Sequence, residues 1–221
     1  MNITLITSII NTPNIPLSYI KTRSIYTREE RFEQTQKTIE SIKEKIPDNK
    51  IFVIECSQLT LEESNYFNST VDIFINIMDT NNKNLIDRMF TKSKAMGEGT
   101  MTIFAINYLF SNQIQFKNLF KISGRYWLTE NFQYSNFDNE CLVIKYIDND
   151  TTNALTSLYK LPHTKTFDWY EFLINSENDF RKCIGYENIF AKFINTKPNV
   201  IVIDKIGVAG NIAVSGDLSD T

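Results

Sequence analysis

Apolar residues recur along this chain in two rhythms. Continuous β-branched runs come first, as in NITLITSII (2–10), and such runs predict a buried strand. NTPNIPLSYIKTRSIYT (11–27) carries two prolines and several turn formers, which predict a loop. Thr27, with Glu30 three residues on, makes a capping-box signature. Phe32, Thr35, Ile39, Ile42 and Ile46 then recur at three- and four-residue steps. That spacing predicts an amphipathic helix over 28–46, ended by Pro47.

The two rhythms then alternate. KIFVIEC (50–56) predicts a second buried strand, LTLEESNYF (59–67) a short helix and VDIFINI (71–77) a third strand. Residues 82–99 are polar and predict a connector with some helix, followed by a buried helix over 99–110. LFKISGRYWLTENF (119–132) starts as a fourth strand and breaks at Ser123-Gly124-Arg125. Further strands are expected at 141–147, 156–161 and 199–204, and helices at 166–183 and 186–194. A glycine-containing tail follows. Strand–helix alternation of this kind predicts an α/β fold, a Rossmann-like, mostly parallel mixed sheet with helices on both faces. Ligands in such sheets bind beyond the carboxyl ends of the strands.

Composition narrows the partners. The chain has 221 residues, 42% of them hydrophobic and 22% charged, which suits one domain with a sizeable core. A net charge of −3 and the lack of a basic run argue against a dedicated nucleic-acid binder. Three scattered cysteines point to a reducing, cytoplasmic setting. The first apolar run is too short to span a bilayer and lacks the flanks of a signal peptide. G-x-G-x-x-G after the first strand, G-x-x-x-x-G-K-[ST] and G-x-S-x-G are all missing. That argues against dinucleotide redox, P-loop and α/β-hydrolase chemistry.

Candidate binding residues gather at predicted strand ends. Thr7 closes the first strand, with Arg23 in the loop beyond it, and Glu55 and Ser57 close the second. Glu55 there suits hydrogen bonds from a ribose or base edge, and an exposed strand-end carboxylate is the equal alternative. None of the seven glycines precedes Gly97, and Gly97, Gly99 and Gly124 fall where they would face one crevice. The lone histidine, His163, reads as a loop surface residue.

Three segments together resemble the GT-A-type glycosyltransferases. RSIYTREERFEQTQKTIESIKEKIPDNKIFVIECS is similar to that family's opening loop, helix and acid-ending strand. KAMGEGTMTIFAINYLF resembles its loop and helix before the fourth strand. LFKISGRYWLTENF stands where the family writes a strand and D-x-D, and it looks most like bacterial and giant-virus sequences carrying K-x-[ST]-G-R-Y. The resemblance spans residues 1–132, the nucleotide-sugar-binding half, and leaves 133–221 as the acceptor-side half of one GT-A-like domain.

The resemblance implies transfer of a sugar from a nucleotide-diphosphate donor to a glycan or lipid-linked acceptor. Ser123-Gly124-Arg125 replaces the metal-holding D-x-D, so no metal cofactor is expected. Arg125 would grip the diphosphate as a permanently charged fork. An ion pair with Glu98 or Glu130 is its alternative fate. Ser123 would bond ribose or phosphate, Gly124 would give room, and Lys121, Lys94 and Arg23 would add phosphate contacts. Trp127, with Tyr126 and Trp169, would offer a stacking wall. Glu187, at the start of a late helix, is the expected base, with Asp168 as its rival. Mn²⁺ or Mg²⁺ would return only if Asp217 and Asp220 of the tail supplied ligands. A sugar nucleotidyltransferase and a catalytically inactive nucleotide- or sugar-binding module remain the alternatives.

Overall fold

In a computed structural model, which describes residues 1–216 and 218–220 (backbone alone at 219 and 220), the seven residues of β1 (Asn2–Ser8) are all buried. The elements that follow are α1 (Arg28–Lys45), β2 (Asn49–Glu55), α2 (Leu61–Thr70), β3 (Ile73–Asn76), α3 (Lys83–Met89) and α4 (Lys94–Ser111). Next come β4 (Asn118–Ser123), β5 (Tyr126–Leu128), β6 (Leu142–Ile144), β7 (Tyr146–Ile147), β8 (Asp150–Ala154) and β9 (Leu158–Pro162). Helices α5 (His163–Asn175), α6 (Glu177–Arg181) and α7 (Tyr186–Ile194) precede β10 (Val200–Val202), β11 (Val208–Asn211) and β12 (Leu218–Asp220). Both early helices start as their sequence dictates, with reciprocal capping boxes at Thr27/Glu30 and Thr60/Glu63.

The main sheet has the order β10-β6-β9-β4-β1-β2-β3. β4, β1, β2 and β3 run parallel. β9 runs antiparallel to both β4 and β6, and β10 is parallel to β6. The direction of β9 follows from its connection. Between β6 and β9 lie only the β7–β8 hairpin and short links. A parallel neighbour would need a longer crossover, usually a helix.

Alternation along the strands splits the core into two layers. Ile3, Leu5, Phe52 and Ile54 pack with α4, α5 and α7 through Met101, Leu109, Trp169, Phe190 and Phe193. Ile6, Ile51 and Val53 pack with Ile39 and Ile42 of α1 and Phe67 of α2. The expected connector over 82–99 is largely helical. α4 begins at Lys94, where Ser93 Oγ accepts from Met96 N at 3.1 Å. Its glycines are sites of close packing. A Cβ on Gly97 would lie 2.9 Å from Met89 O, and one on Gly99 would lie 2.5 Å from the Phe180 ring.

β11 pairs antiparallel with β5 and with β12. β1 has β2 on one side and β4 on the other, so the chain reverses its direction of travel across the sheet at β1. A crevice opens at such a switch point, beyond the carboxyl ends of the strands. Among the described residues no helix is long and apolar enough to cross a membrane.

Candidate functional site

The carboxyl ends of β1 and β4 form the floor of a cavity of about 130 Å³. Thr7 and Ser8 come from β1, Ser123 from β4, Arg31 from α1, and Lys94 and Glu98 from α4. Arg125 and Tyr126 follow β4, Arg23 reaches in from the loop before α1, and Ile212–Val214 of the tail close the wall. Among the described residues, four cations and one carboxylate therefore face a single small space.

Each cation is held differently. Arg23 is spent on backbone carbonyls: Nε donates to Ile15 O at 3.2 Å, Nη1 to Met89 O at 3.5 Å, and Nη2 to Thr91 O. It staples the loop to the segment after α3. Arg125 is 9% exposed, and its Nη1 donates to Asn211 O at 2.9 Å. No ion pair of Arg125 occurs among the described residues. Glu98 pairs with Lys121, and Glu130 with Lys45 at 3.2 Å. Lys94 is open to solvent in the crevice and has no ion pair among the described residues. Surrounding protein lowers its pKa by desolvation, and repulsion from Arg125 adds to that, while Glu187 and Glu98 oppose it.

Arg31 is the group that sequence reasoning missed. Its Nε and Nη2 donate to Ile9 O at 3.2 and 2.9 Å. Nη1 is buried and has no hydrogen-bond partner among the described residues, and the residue is 7% exposed. Burial first, and then repulsion from Arg125, lower the guanidinium pKa to about 9. A buried N–H on a cation with no acceptor is costly, and an anion in the cavity would supply one. The available signal was the polar inner face of α1, where Arg31, Gln34, Thr35, Thr38 and Ser41 are all buried.

The expected site residues divide into two groups. Thr7, Arg23, Lys94, Ser123 and Arg125 line the cavity, and the others sit elsewhere. Glu55 is fully buried, accepting on Oε1 from Ser57 Oγ (2.6 Å), Cys56 N (2.9 Å) and Ile10 N (3.1 Å). Ser57 Oγ in turn accepts from Asn11 N at 2.9 Å, so this pair fastens the loop after β1. Lys121 is fully buried, donating to Glu98, to Ser123 Oγ at 3.1 Å and to Thr156 O at 3.1 Å. The room at Gly124 is taken by protein: a Cβ there would lie 3.0 Å from Thr35 Oγ1 and 3.1 Å from Ser8 Cβ.

Trp127 packs under Lys37, whose Nζ is 3.4 Å from the ring centroid, and Trp169 is fully buried in the core, which removes it from any stacking wall. Glu187 accepts from Thr156 Oγ1 at 3.0 Å in the first turn of α7. Asp168 is occupied by Lys197 at 2.8 Å and Lys165 at 3.6 Å, and Lys197 in particular lowers its pKa. His163 opens α5 rather than lying in a loop. Its ring is half-buried against Phe116 at 4.6 Å and Phe110 at 5.7 Å. Asp217 lies outside the described residues, as does the side chain of Asp220. Among the described residues no cluster of three His, Cys, Asp or Glu side chains is arranged to hold a metal ion.

No protein-family model matches the chain, and no curated protein sequence matches it. Solved structures do resemble it. A glycosyltransferase involved in the glycosylation of the major capsid of PBCV-1 aligns over 92% of this chain and 82% of its own, with TM-score 0.49 and 10% identity. The glycosyltransferase GlyE of Streptococcus pneumoniae TIGR4 aligns over 91% of this chain, with TM-score 0.51 and 10% identity. This chain spans 45% of the GlyE chain. At that identity the likeness is one of fold, so the mixed, mostly parallel α/β architecture is one that a glycosyltransferase structure shares.

Proposed function

We propose that the cavity holds the diphosphate of a nucleotide-sugar and that the protein transfers the sugar to a glycan or lipid-linked acceptor. The observation that carries this reading is Nη1 of Arg31, which has no partner among the described residues and is buried beside Arg125 and Lys94 at the sheet's switch point. Like charges crowded this closely repel, and a diphosphate relieves the repulsion. Arg125 and Arg31 then take the electrostatic part that a divalent metal plays elsewhere, stabilising charge as it grows on the leaving nucleotide. Ser123 and Thr7 offer hydroxyls at the same floor.

A cavity of about 130 Å³ suits a diphosphate. Whole small-molecule sites run to roughly 300–1,000 Å³, so the base and sugar extend past the rim or displace Ile212–Val214. For an inverting transfer the base is Glu187, whose charge is felt by Lys94 on the cavity wall. Thr156 orients its carboxylate.

The test titrates the protein with UDP-, GDP-, dTDP- and CMP-sugars in EDTA and in Mn²⁺, following binding and slow donor hydrolysis. Binding and turnover in EDTA are expected. Arg125→Ala should weaken donor binding by ~2–5 kcal/mol, and Glu187→Gln should lower turnover while leaving affinity intact. Strict Mn²⁺ dependence would remove the metal-free part of the proposal. A binding module without turnover is the second reading. It is favoured by Glu98, the one carboxylate among the described lining residues, being tied to Lys121. Binding without hydrolysis or transfer would establish it.

A further inference from the structure

Among the described residues that line this cationic cavity, one has the opposite charge. Glu98 projects from α4 one turn beyond Lys94, so the two side chains share a helix face. Its Oε1 accepts from Lys121 Nζ and from Ser123 Oγ, the latter at 3.4 Å. No hydrogen bond to Oε2 occurs among the described residues. The side chain is 13% exposed and lines the cavity. Burial alone would raise its pKa, but Lys121, Lys94 and Arg125 outweigh burial and hold the pKa low. The carboxylate is therefore ionised near neutral pH and can only accept hydrogen bonds.

Phosphate oxygens are repelled by such a group, whereas neutral hydroxyls are drawn to it. Lys121 does not touch the cavity and acts as a positioning residue, itself fixed by Ser123 Oγ and Thr156 O. We propose that Glu98 is a specificity residue that accepts, through Oε2, hydrogen bonds from a vicinal diol of the bound donor, on its ribose or on its transferred sugar. The inference rests on the donor reading above. It adds that the protein selects among donors by their hydroxyls, and that it does so from α4 rather than from the end of β4.

Isothermal titration of the wild type, Glu98→Gln and Glu98→Gln/Lys121→Met tests this. The probes are inorganic pyrophosphate, UDP and GDP with their 2′-deoxy forms, and UDP-glucose and GDP-mannose with sugars lacking the 2-, 3- or 4-hydroxyl. The wild type should prefer a hydroxylated ligand over one of its deoxy forms by about 10- to 100-fold, the range for hydrogen bonds to a charged group. Glu98→Gln should collapse that ratio to about threefold or less while binding pyrophosphate at least as tightly. The double variant removes the cation that Glu98→Gln leaves buried, and it should show the same collapse with an unfolding midpoint close to wild type.

The deoxy form whose penalty disappears identifies the ribose or the sugar as the source of the diol. An unchanged ratio in both variants, or pyrophosphate affinity lost together with the ratio, overturns the inference while leaving the donor reading in place. Failure of the wild type to bind any nucleotide or pyrophosphate overturns both.

Discussion

Arg31 should be a stability liability retained for binding, and replacing it with methionine exposes the trade. A guanidinium held at about 9 against 12.5 in water is disfavoured in its charged form by roughly 5 kcal/mol, at ~1.4 kcal/mol per pH unit. The two donations to Ile9 O return about 2–3 kcal/mol. Methionine fills a similar volume without a charge, so Arg31→Met should stabilise the ligand-free protein by about 2 kcal/mol. For a chain of this length that raises the melting midpoint by roughly 4–8 °C. Scanning calorimetry and urea titration read the gain directly.

Ligand linkage supplies the second half of the assay. A diphosphate at 100 times its Kd should stabilise the wild type by ~2.7 kcal/mol. The same concentration should do much less for Arg31→Met. Destabilisation by more than about 1 kcal/mol together with undiminished ligand stabilisation would refute the reasoning. It would mean that the guanidinium is a structural staple and that Nη1 awaits nothing.

Two further substitutions probe the frame around the site. Lys160 is fully buried, with Nζ donating to Asn139 O (2.6 Å), Cys141 O (2.8 Å) and Asn139 Oδ1 (3.0 Å), and burial above all lowers its pKa to about 8. Between that value and the ordinary 10.5 the unfolded chain binds more protons than the folded one, so this lysine makes stability rise with pH across the window. Its contribution is at most ~3 kcal/mol, reduced by screening. Lys160→Met should flatten the rise, and stability profiles that keep the wild-type slope between pH 8 and 10.5 would contradict the assignment. Gly124→Ala should cost about 1–2 kcal/mol in urea unfolding, because its Cβ meets Thr35 and Ser8; a neutral result would show that α1 yields there.

The parts legible in the sequence were those whose cause is local. Strand runs at β1 and β2 and the capping box of α1 each carry their physics within a few residues. The direction of β9 depends on how β6 and β9 are joined, and no periodicity within β9 encodes that. The first turns of α4 were obscured because Gly97 and Gly99 look like helix breakers, although they exist to let Met89 and Phe180 approach. Gly124 was expected beside a ligand for the same reason, yet Thr35 and Ser8 occupy the space. Arg31 resembles any helix-surface charge until the tertiary structure buries it. The place of Arg125 on the cavity wall, by contrast, was readable, since a cation after a strand-ending glycine falls at the carboxyl edge of the sheet.

The tail that walls the cavity also comes late in the chain. The residues of β1, α1, β2, α4 and β4 all precede Gly124. Ile212–Val214, and the Asn211 carbonyl that engages Arg125, arrive much later. The cationic floor is therefore walled by a contact that spans 86 residues of chain, from Arg125 to Asn211, and loop-closure entropy must be met before so non-local a contact forms.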